Sequence, residues 1–352
     1  MSYSWGELAT ESLDQVHQQF GHRVLGIGGT WLGTPNALPT EGRLRRITAC
    51  LRSDLPPALW NYWWQAHYLD AICDAGFHFW RAENLQAARV QLVRGKQLVR
   101  GVWLRNLLRF SNYFFDDMAW LVLAAARLDQ LALALHEEPS NLARTVQRTL
   151  GAELYSAHDQ VLAGGLYWSR ARNFKNTPVN SPAALHFARS GDTAMARALV
   201  GWMRERLYDP QLGLYLDGIH LTQHGHRLDR RVFTYNQGPI IGALLELGQP
   251  EDLGHVAELV SAVNKNLVTP TSGIRLESGA DGGLFTGILC RYLAFAARDT
   301  RLPLATRQLA ATLVEQTAMA LPAQQPSQLS GAVQRTTLFF AAATVRSSLT
   351  EG

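Results

Sequence analysis

Apolar residues recur along most of this chain at intervals of three and four, and almost nowhere at intervals of two. In residues 57–76, for example, Leu59, Trp63, Ala66 and Leu69 follow this spacing, which places them on one face of an α-helix. Strand-like alternation is nearly absent, so the sequence predicts an all-α protein. About twelve segments carry the helical spacing: 5–20, 57–76, 87–108, 114–136, 141–162, 181–190, 192–207, 234–248, 251–266, 282–298, 303–320 and 330–347.

The spacing of these segments indicates how the helices are arranged. A new helix begins about every 25–30 residues, a density that suits stacked helical hairpins. No Pro/Ser-rich linker divides the chain, so we predict a single domain over residues 1–352. An open solenoid and a closed toroid of six hairpins both fit this pattern. Glycine and aromatic residues in the loops favour the closed (α/α)6 toroid, in which the loops at one end converge on a central cleft.

Composition limits the classes of function. The net charge is +4, but the arginines are scattered, and no basic face interleaves with aromatic residues, so we expect no nucleic-acid partner. Three widely spaced cysteines, Cys50, Cys73 and Cys290, argue against a disulfide framework or a zinc site. No run of 18 apolar residues is present, so we expect no membrane span. The polar first residues predict a cytoplasmic protein, or a secreted one if a signal peptide has been removed.

The strongest local signal is the pair Asp116-Asp117, which lies in an aromatic and otherwise apolar stretch at a predicted helix start. Adjacent carboxylates repel and apolar surroundings disfavour charge, so we expect one of them to have a raised pKa. A glycosidase needs this arrangement, because one carboxyl group protonates the leaving oxygen while the other attacks or stabilises the sugar. The alternative is structural: Asp116 would cap the helix and Asp117 would support its first turn.

Four further segments mix polar, aromatic and glycine residues, as binding loops do. Their Tyr, Asn and Gln side chains suit sugar hydroxyls, although an Asn cap followed by a glycine turn explains residues 233–240 equally well. The four segments are residues 164–168, 174–182, 233–240 and 278–288.

Metal and cofactor signals are weak. Gly26–Gly29 lacks the strand and helix context of a dinucleotide site, and no phosphate-loop, zinc-protease or serine-hydrolase motif is present. His220, His224 and His226 with Asp217 form at best a weak metal site, and a polar loop is the simpler interpretation. We therefore predict neither a metal nor a cofactor, and the sequence does not indicate an oligomeric state.

Together these segments resemble glycoside hydrolase family 76, the α-1,6-mannanases. The similarity spans roughly residues 55–300, and several motifs in the right order are more specific than any one of them. The family pattern contains an aromatic-flanked Asp-Asp pair, a Gly-Gly-x-aromatic-Trp stretch, Lys-Asn-x-Pro-x-Asn-x-Pro, Thr-Tyr-Asn-Gln-Gly, Asp-Gly-x-Leu-Phe-x-Gly-Ile and Arg-Tyr. These are matched by residues 115–117, 164–168, 175–182, 234–238, 281–288 and 291–292.

The resemblance implies a six-hairpin helical toroid and a retaining, endo-acting enzyme whose partner is an α-mannan oligo- or polysaccharide. In that scheme Asp116 is the nucleophile and Asp117 is the acid and then the base. The candidates that would line the sugar subsites are Trp168, Asn176, Asn180, Tyr235, Asn236, Gln237, Asp281 and Phe285.

Two points separate the chain from the family pattern. Residues 217–231 are rich in Arg and His, where a short polar loop is expected, and the sequence after Pro322 is hard to align. The bias toward Arg, Ala and Leu suggests a GC-rich source, so the α-1,6-mannose backbone of lipomannan-type glycolipids is a substrate hypothesis. The alternatives are a transglycosidase on the same scaffold, a non-catalytic mannan-binding protein, and another toroid enzyme that uses histidine bases or differently spaced acids.

Overall fold

The computed structural model describes residues 4–270 and 273–349. Thirteen α-helices lie within these ranges: α1 (Trp5–Gln19), α2 (Arg43–Asp54), α3 (Tyr62–Arg81), α4 (Leu85–Arg105), α5 (Phe115–Ala134), α6 (Asn141–Ser156), α7 (Thr177–Arg189), α8 (Thr193–Arg206), α9 (Thr234–Leu247), α10 (Pro250–Leu267), α11 (Gly282–Arg298), α12 (Leu304–Met319) and α13 (Leu329–Leu349).

Nine short strands connect some of these helices in the same ranges. They are β1 (Gly21–His22), β2 (Leu32–Gly33), β3 (Phe174–Asn176), β4 (Tyr208–Asp209), β5 (Leu214–Tyr215), β6 (Gly218–Thr222), β7 (Gly225–Asp229), β8 (Val268–Thr269) and β9 (Gly273–Ile274). All pairings are antiparallel, and β3, β6 and β7 form the one sheet with three strands among the described residues.

Twelve of the thirteen described helices form two rings of six, and α2 belongs to neither. In the inner ring, α3, α5, α7, α9, α11 and α13 each contact the next helix, and α13 contacts α3, which closes the circle. In the outer ring, α4, α6, α8, α10 and α12 each pack on the inner helix that precedes them, and α1 packs on α13. This arrangement confirms the predicted (α/α)6 toroid and excludes the open solenoid.

Whether a helix belongs to the inner or the outer ring follows from how much of its circumference is apolar. Helix α5 is buried on all sides through its middle, along Met118–Ala125. Helix α6 buries one stripe, which consists of Ala143, Val146, Leu150, Gly151 and Leu154. An all-round apolar helix needs neighbours on every side, whereas an amphipathic helix covers the core and faces water with its polar side.

Two features differ from the sequence prediction. Helix α2 was not predicted, because four of its twelve residues are Arg and Asp54 is its single buried residue. The Arg- and His-rich residues 217–231 form a β-hairpin where a loop is expected. Its strands β6 and β7 pair from Gly218 opposite Asp229 to Thr222 opposite Gly225. Cross-strand backbone pairing can hold a segment that buries few side chains, so apolar alternation does not reveal it.

The inner helices share one direction around the ring, and their N-terminal ends meet at one end of the toroid. The residues that line the central cleft confirm this, since Trp63, Asp116, Tyr235 and Phe285 come from the first turns of α3, α5, α9 and α11. The positive ends of several helix dipoles therefore point toward the cleft. No helix in the described ranges is long and apolar enough to cross a membrane.

Candidate active site

The central cleft is a cavity of about 820 Å³ with a largely aromatic lining. Seven of the ten predicted site residues line it: Asp116, Asp117, Trp168, Asn176, Tyr235, Asp281 and Phe285. The tertiary structure therefore gathers segments from residue 116 to residue 285 around one space.

The Asp pair stands in the first turn of α5. Phe114, in extended conformation, is the N-cap residue and makes no side-chain cap, so Asp116 is not the helix cap that the structural alternative proposed. The entry into α5 is held instead by backbone pairing, because the N–H of Phe115 donates to the carbonyl of Trp168 at 2.8 Å. The two carboxyl groups are thus left available to the cleft.

Asp116 is surrounded by donors that favour its ionised form. Its Oδ2 accepts a hydrogen bond from the indole Nε1 of Trp168 at 2.8 Å, and its Oδ1 accepts one from the backbone N–H of Asp117 at 3.0 Å. Burial nevertheless raises the pKa of Asp116 to about 7, and the nearby Asp217 adds to the rise. The hydrogen bonds oppose this shift and lower the pKa.

Asp117 has fewer partners that favour charge. Burial raises the pKa of Asp117 well above its usual value, and the carboxylates of Asp116 and Asp281 raise it further. The amide Nδ2 of Asn112 donates to Asp117 and opposes the rise. Burial thus raises the pKa of both carboxyl groups, and Asp117 has fewer hydrogen-bond donors that oppose the rise.

Aromatic rings form the walls beside the pair. Tyr235 and Phe285 are stacked with their ring centroids 3.9 Å apart and their planes 11° apart. Trp120 lies 6.4 Å from Tyr235, and Trp63 lies 6.1 Å from Phe285, measured between ring centroids. Flat apolar faces of this kind pack against the C–H faces of sugar rings, while the neighbouring polar groups bind hydroxyls.

Asp281 and Asn176 also face the cleft. The Oδ1 of Asp281 accepts hydrogen bonds from the indole nitrogens of Trp63 at 3.2 Å and Trp64 at 2.9 Å, which joins the start of α11 to α3. The Oδ1 of Asn176 is buried and has no hydrogen-bond partner among the described residues. A buried acceptor without a partner is costly, so this amide oxygen is a polar group that the described residues leave unsatisfied.

Three predicted residues, Asn180, Asn236 and Gln237, do not line the cleft. Asn180 bonds both the N–H and the carbonyl of Leu166, and Gln237 bonds both backbone groups of Tyr215, all at 2.8–3.1 Å. Asn236 donates to Asp217 at 3.4 Å. All three side chains are fully buried, so Asn180 and Gln237 hold loop backbone and Asn236 contacts a carboxylate, where sugar contacts were predicted.

The loop that carries Trp168 is held by a buried lysine. The Nζ of Lys175 donates to the carbonyls of Val161 at 2.7 Å and Gly164 at 2.8 Å, and it pairs with Asp159 at 2.7 Å. Gly165 has a φ of +75°, and a Cβ there would lie 2.6 Å from the ring of Trp202, so only glycine fits. The Gly-Gly and Lys-Asn motifs therefore position the indole that bonds Asp116.

Asp217 is a third buried carboxyl group in the cleft that sequence reasoning did not assign to it. Burial raises the pKa of Asp217 to about 6, and the amide of Asn236 opposes the rise. Arg231 bridges Asp217 and Asp229, with N–O distances of 3.5 Å and 2.7 Å. In the sequence, Asp217 stands directly before Gly218 and indicates at most a weak metal site together with His220, His224 and His226. No group of acidic, His or Cys residues in the described ranges is placed to hold a metal.

A helical toroid with paired carboxyl groups in a central cleft agrees with a comparison against family models. The glycosyl hydrolase family 76 model matches residues 45–339. The chain belongs to this family. Membership makes the protein a glycoside hydrolase, and the cleft at the N-terminal ends of the inner helices is its active-site candidate.

Solved structures of family 76 members share the fold over nearly the whole length. The α-1,6-mannanase of Salegentibacter sp. HEL1_6 is 27% identical with a TM-score of 0.80, and the match covers 97% of this chain and 100% of that chain. An inactive variant of that enzyme, with two consecutive aspartates replaced by asparagine, was solved with α-1,6-mannotriose; it is 26% identical with a TM-score of 0.79 and the same coverage.

A protein from Listeria innocua shows the same fold at lower identity. It is 22% identical with a TM-score of 0.77, and the match covers 98% of both chains. No curated protein matches the chain. The Listeria protein therefore shares the fold of this family 76 member.

Proposed function

We propose that this enzyme hydrolyses internal linkages of α-1,6-linked mannan with retention of configuration, using Asp116 and Asp117. The observation that carries the proposal is the pair of adjacent carboxyl groups on the cleft wall, whose surroundings favour one ionised and one protonated group. The similar Salegentibacter enzyme is described as an α-1,6-mannanase, and its variant with two consecutive aspartates replaced is described as inactive. Both descriptions support the proposal.

In the proposed first step, Asp117 donates its proton to the glycosidic oxygen and the bond from that oxygen to the anomeric carbon breaks. The carboxylate of Asp116 attacks the same carbon and forms a covalent glycosyl-enzyme. In the second step Asp117, now ionised, takes a proton from water, and the water oxygen displaces Asp116. Two inversions at one carbon give net retention, and both carboxyl groups return to their starting protonation states.

Trp168 supports both steps through its hydrogen bond to Asp116. The indole stabilises the carboxylate before attack and again when Asp116 leaves the sugar. The first turn of α5 adds the favourable end of a helix dipole. The asymmetry between the carboxyl groups thus comes from their donors: Asp116 accepts from an indole and a backbone N–H, while Asp117 accepts from one amide.

The proposal is tested with linear α-1,6-mannan oligosaccharides and the wild-type protein. We expect shorter oligosaccharides on chromatography, and NMR of the first products should show the α-anomer. Longer products would indicate a transglycosidase, and a β-anomer would exclude retention. If the oligosaccharides remain unchanged, the proposed activity is wrong. Where the oligosaccharides are shortened, lipomannan-type glycolipids serve as the second substrate, because their α-1,6-mannose backbone is the natural target that we propose.

The pH dependence of kcat/KM should be bell-shaped. Since the pKa of Asp116 is raised to about 7, the rate should fall as the pH drops through this value and the nucleophile is protonated. At higher pH the rate should fall again as Asp117 loses the proton that it must donate. A flat profile through neutral and alkaline pH would contradict acid catalysis by Asp117.

The variant Trp168→Phe should shift the acid limb of this profile. Loss of the indole donor raises the pKa of Asp116 further, so the limb moves to higher pH, and kcat/KM at pH 7 drops by about tenfold or more. Trp5→Phe is the matched control, since Trp5 lies on the outer helix α1. An unmoved limb in Trp168→Phe would remove Trp168 from the mechanism.

A further inference from the structure

Helix α2 carries its apolar residues on the face that points away from the protein. Leu44, Ile47 and Leu51 lie on one side of the helix, and their exposed fractions are 80%, 45% and 41%. The opposite side, which includes Arg46, Ala49 and Ser53, is half-buried. A surface helix of a soluble protein usually has the reverse orientation.

Polar contacts hold α2 in this orientation. Asp54 accepts from the ring of His22 at 2.7 Å and from the backbone N–H of Leu25 at 2.8 Å. Arg46 donates to the carbonyl of residue 18 at 2.6 Å, and Arg105 donates to the carbonyl of residue 53 at 3.3 Å. The protein thus anchors the helix by its polar residues and leaves the apolar stripe uncovered.

Positive charge flanks the stripe. With 100° between successive residues, Arg43 lies on one side of it and Arg45 and Arg52 lie on the other. All three side chains are exposed. Asp54 is the single acid among the twelve residues of α2, and its two oxygens accept the bonds from His22 and Leu25. The face therefore offers apolar side chains between arginines whose charge no acid of the same helix neutralises.

We propose that α2 binds the surface of an anionic lipid membrane. In this arrangement the Leu44–Ile47–Leu51 stripe enters the boundary between headgroups and acyl chains, and the flanking arginines contact lipid phosphates. A second copy of the chain fits less well, because a symmetric contact through α2 would bring Arg43, Arg45 and Arg52 of both copies together. An anionic lipid surface satisfies both parts of the face, because its acyl chains cover the apolar stripe and its phosphates pair with the arginines.

Helix α2 lies next to the rim of the central cleft, so membrane binding through α2 would affect the position of the cleft. Residues 56–60 follow α2 directly and line the cleft. Leu55 and Leu59 in this connection are 52% and 80% exposed, so the apolar surface continues from α2 to the rim. Membrane binding would bring this rim to glycans anchored in the same lipid surface. The access to membrane glycans rests on the proposed mannan hydrolysis, whereas the binding of α2 to lipid does not.

The experiment measures co-sedimentation of the full-length protein with vesicles. Wild type should bind vesicles that contain phosphatidylglycerol, bind pure phosphatidylcholine vesicles weakly, and lose affinity as salt rises. The triple variant Leu44→Gln/Ile47→Gln/Leu51→Gln should partition at least ~10-fold less onto the anionic vesicles. The double variant Arg45→Gln/Arg52→Gln should bind anionic vesicles about tenfold more weakly than wild type, and its weak binding to neutral vesicles should be unchanged.

The matched control replaces three exposed apolar residues on other helices. Leu133→Gln/Leu304→Gln/Met319→Gln removes similar apolar surface from α5 and α12 and should bind vesicles like wild type. All variants should keep the wild-type circular dichroism spectrum and activity on soluble oligosaccharides. If soluble activity is absent in wild type but vesicle binding follows this pattern, lipid binding stands and only the mannan hydrolysis fails.

Three results would overturn the proposal. Wild type that stays in the supernatant with phosphatidylglycerol vesicles would exclude it. Equal binding by the α2 triple variant and the control variant would show that the stripe is not the contact. A wild-type dimer in light scattering that becomes a monomer in the α2 triple variant would show that a second copy covers the stripe.

Discussion

Asp117→Asn and Asp116→Asn are each expected to lower kcat on α-1,6-mannan oligosaccharides by at least ~10³-fold. An amide at position 117 cannot donate a proton to the leaving oxygen or take one from water. An amide at position 116 is too weak a nucleophile to form the glycosyl-enzyme. Both side chains keep their size, so circular dichroism and thermal unfolding should show folded proteins.

An activated substrate separates the two roles. A dinitrophenyl mannooligoside has a leaving group that needs no protonation, so Asp117→Asn should still form the glycosyl-enzyme from it. This variant should then release a burst of dinitrophenol and stall, because no base activates water. Asp116→Asn should release no burst. A burst with Asp116→Asn and none with Asp117→Asn would exchange the two assignments.

Asp129→Asn is the matched control on the same helix. Asp129 is a half-buried carboxylate of α5 that accepts bonds from the N–H of Ser140 at 3.2 Å and from Gln147 at 2.7 Å, outside the cleft. Its replacement should leave kcat within about twofold of wild type. Near-normal activity in either Asp116→Asn or Asp117→Asn would refute the catalytic pair.

Arg291→Met is expected to lower the free energy of unfolding by about 3–5 kcal/mol. Arg291 and Arg127 enclose Asp70 and Asp74 between the inner helices α3, α5 and α11. The nitrogen–oxygen distances are 2.6 Å from Arg127 to each Asp, and 3.4 Å and 2.7 Å from Arg291 to Asp70 and Asp74. Without Arg291, two buried carboxylates share one guanidinium.

The pH dependence of this loss follows from Asp70. Burial alone would raise the pKa of Asp70, but Arg291 and Arg127 outweigh it and hold the pKa below its usual value. A carboxyl group with a depressed pKa stabilises the folded state at pH values above its pKa in the unfolded state, which is about 4. This stabilisation is lost as the pH falls below that value. The difference between wild type and Arg291→Met should therefore shrink in acid.

Urea unfolding at pH 7 measures the effect, with Arg89→Met as the control. Arg89 pairs with Glu137 at 2.9 Å, but both side chains are about half exposed. Loss of such a surface pair should cost at most about 1 kcal/mol. Equal midpoints for Arg291→Met and Arg89→Met would show that the buried cluster adds no more stability than a surface ion pair.

The sequence by itself predicted twelve of the thirteen described helices, favoured their closed ring and indicated the catalytic candidates. Helical periodicity is a local property, so the apolar spacing of each segment predicts its type without knowledge of its neighbours. Asp116 and Asp117 are adjacent in the chain, so the sequence alone also predicts that their carboxylates repel each other. Five further predicted residues line the cleft. Asn176, Tyr235, Asp281 and Phe285 lie at or near the starts of inner helices, and Trp168 lies in a loop whose backbone pairs with the start of α5.

Only the tertiary structure decided which polar side chains face the cleft and how their protons are shared. Asn180 and Gln237 are of the right type, but they bond loops that come from other parts of the chain. The indole that bonds Asp116 and opposes the rise of its pKa is 52 residues away in the chain, and Asp281 is bonded to an indole 217 residues away. Burial and hydrogen-bond partners set pKa values and side-chain roles, and contacts between distant segments create both.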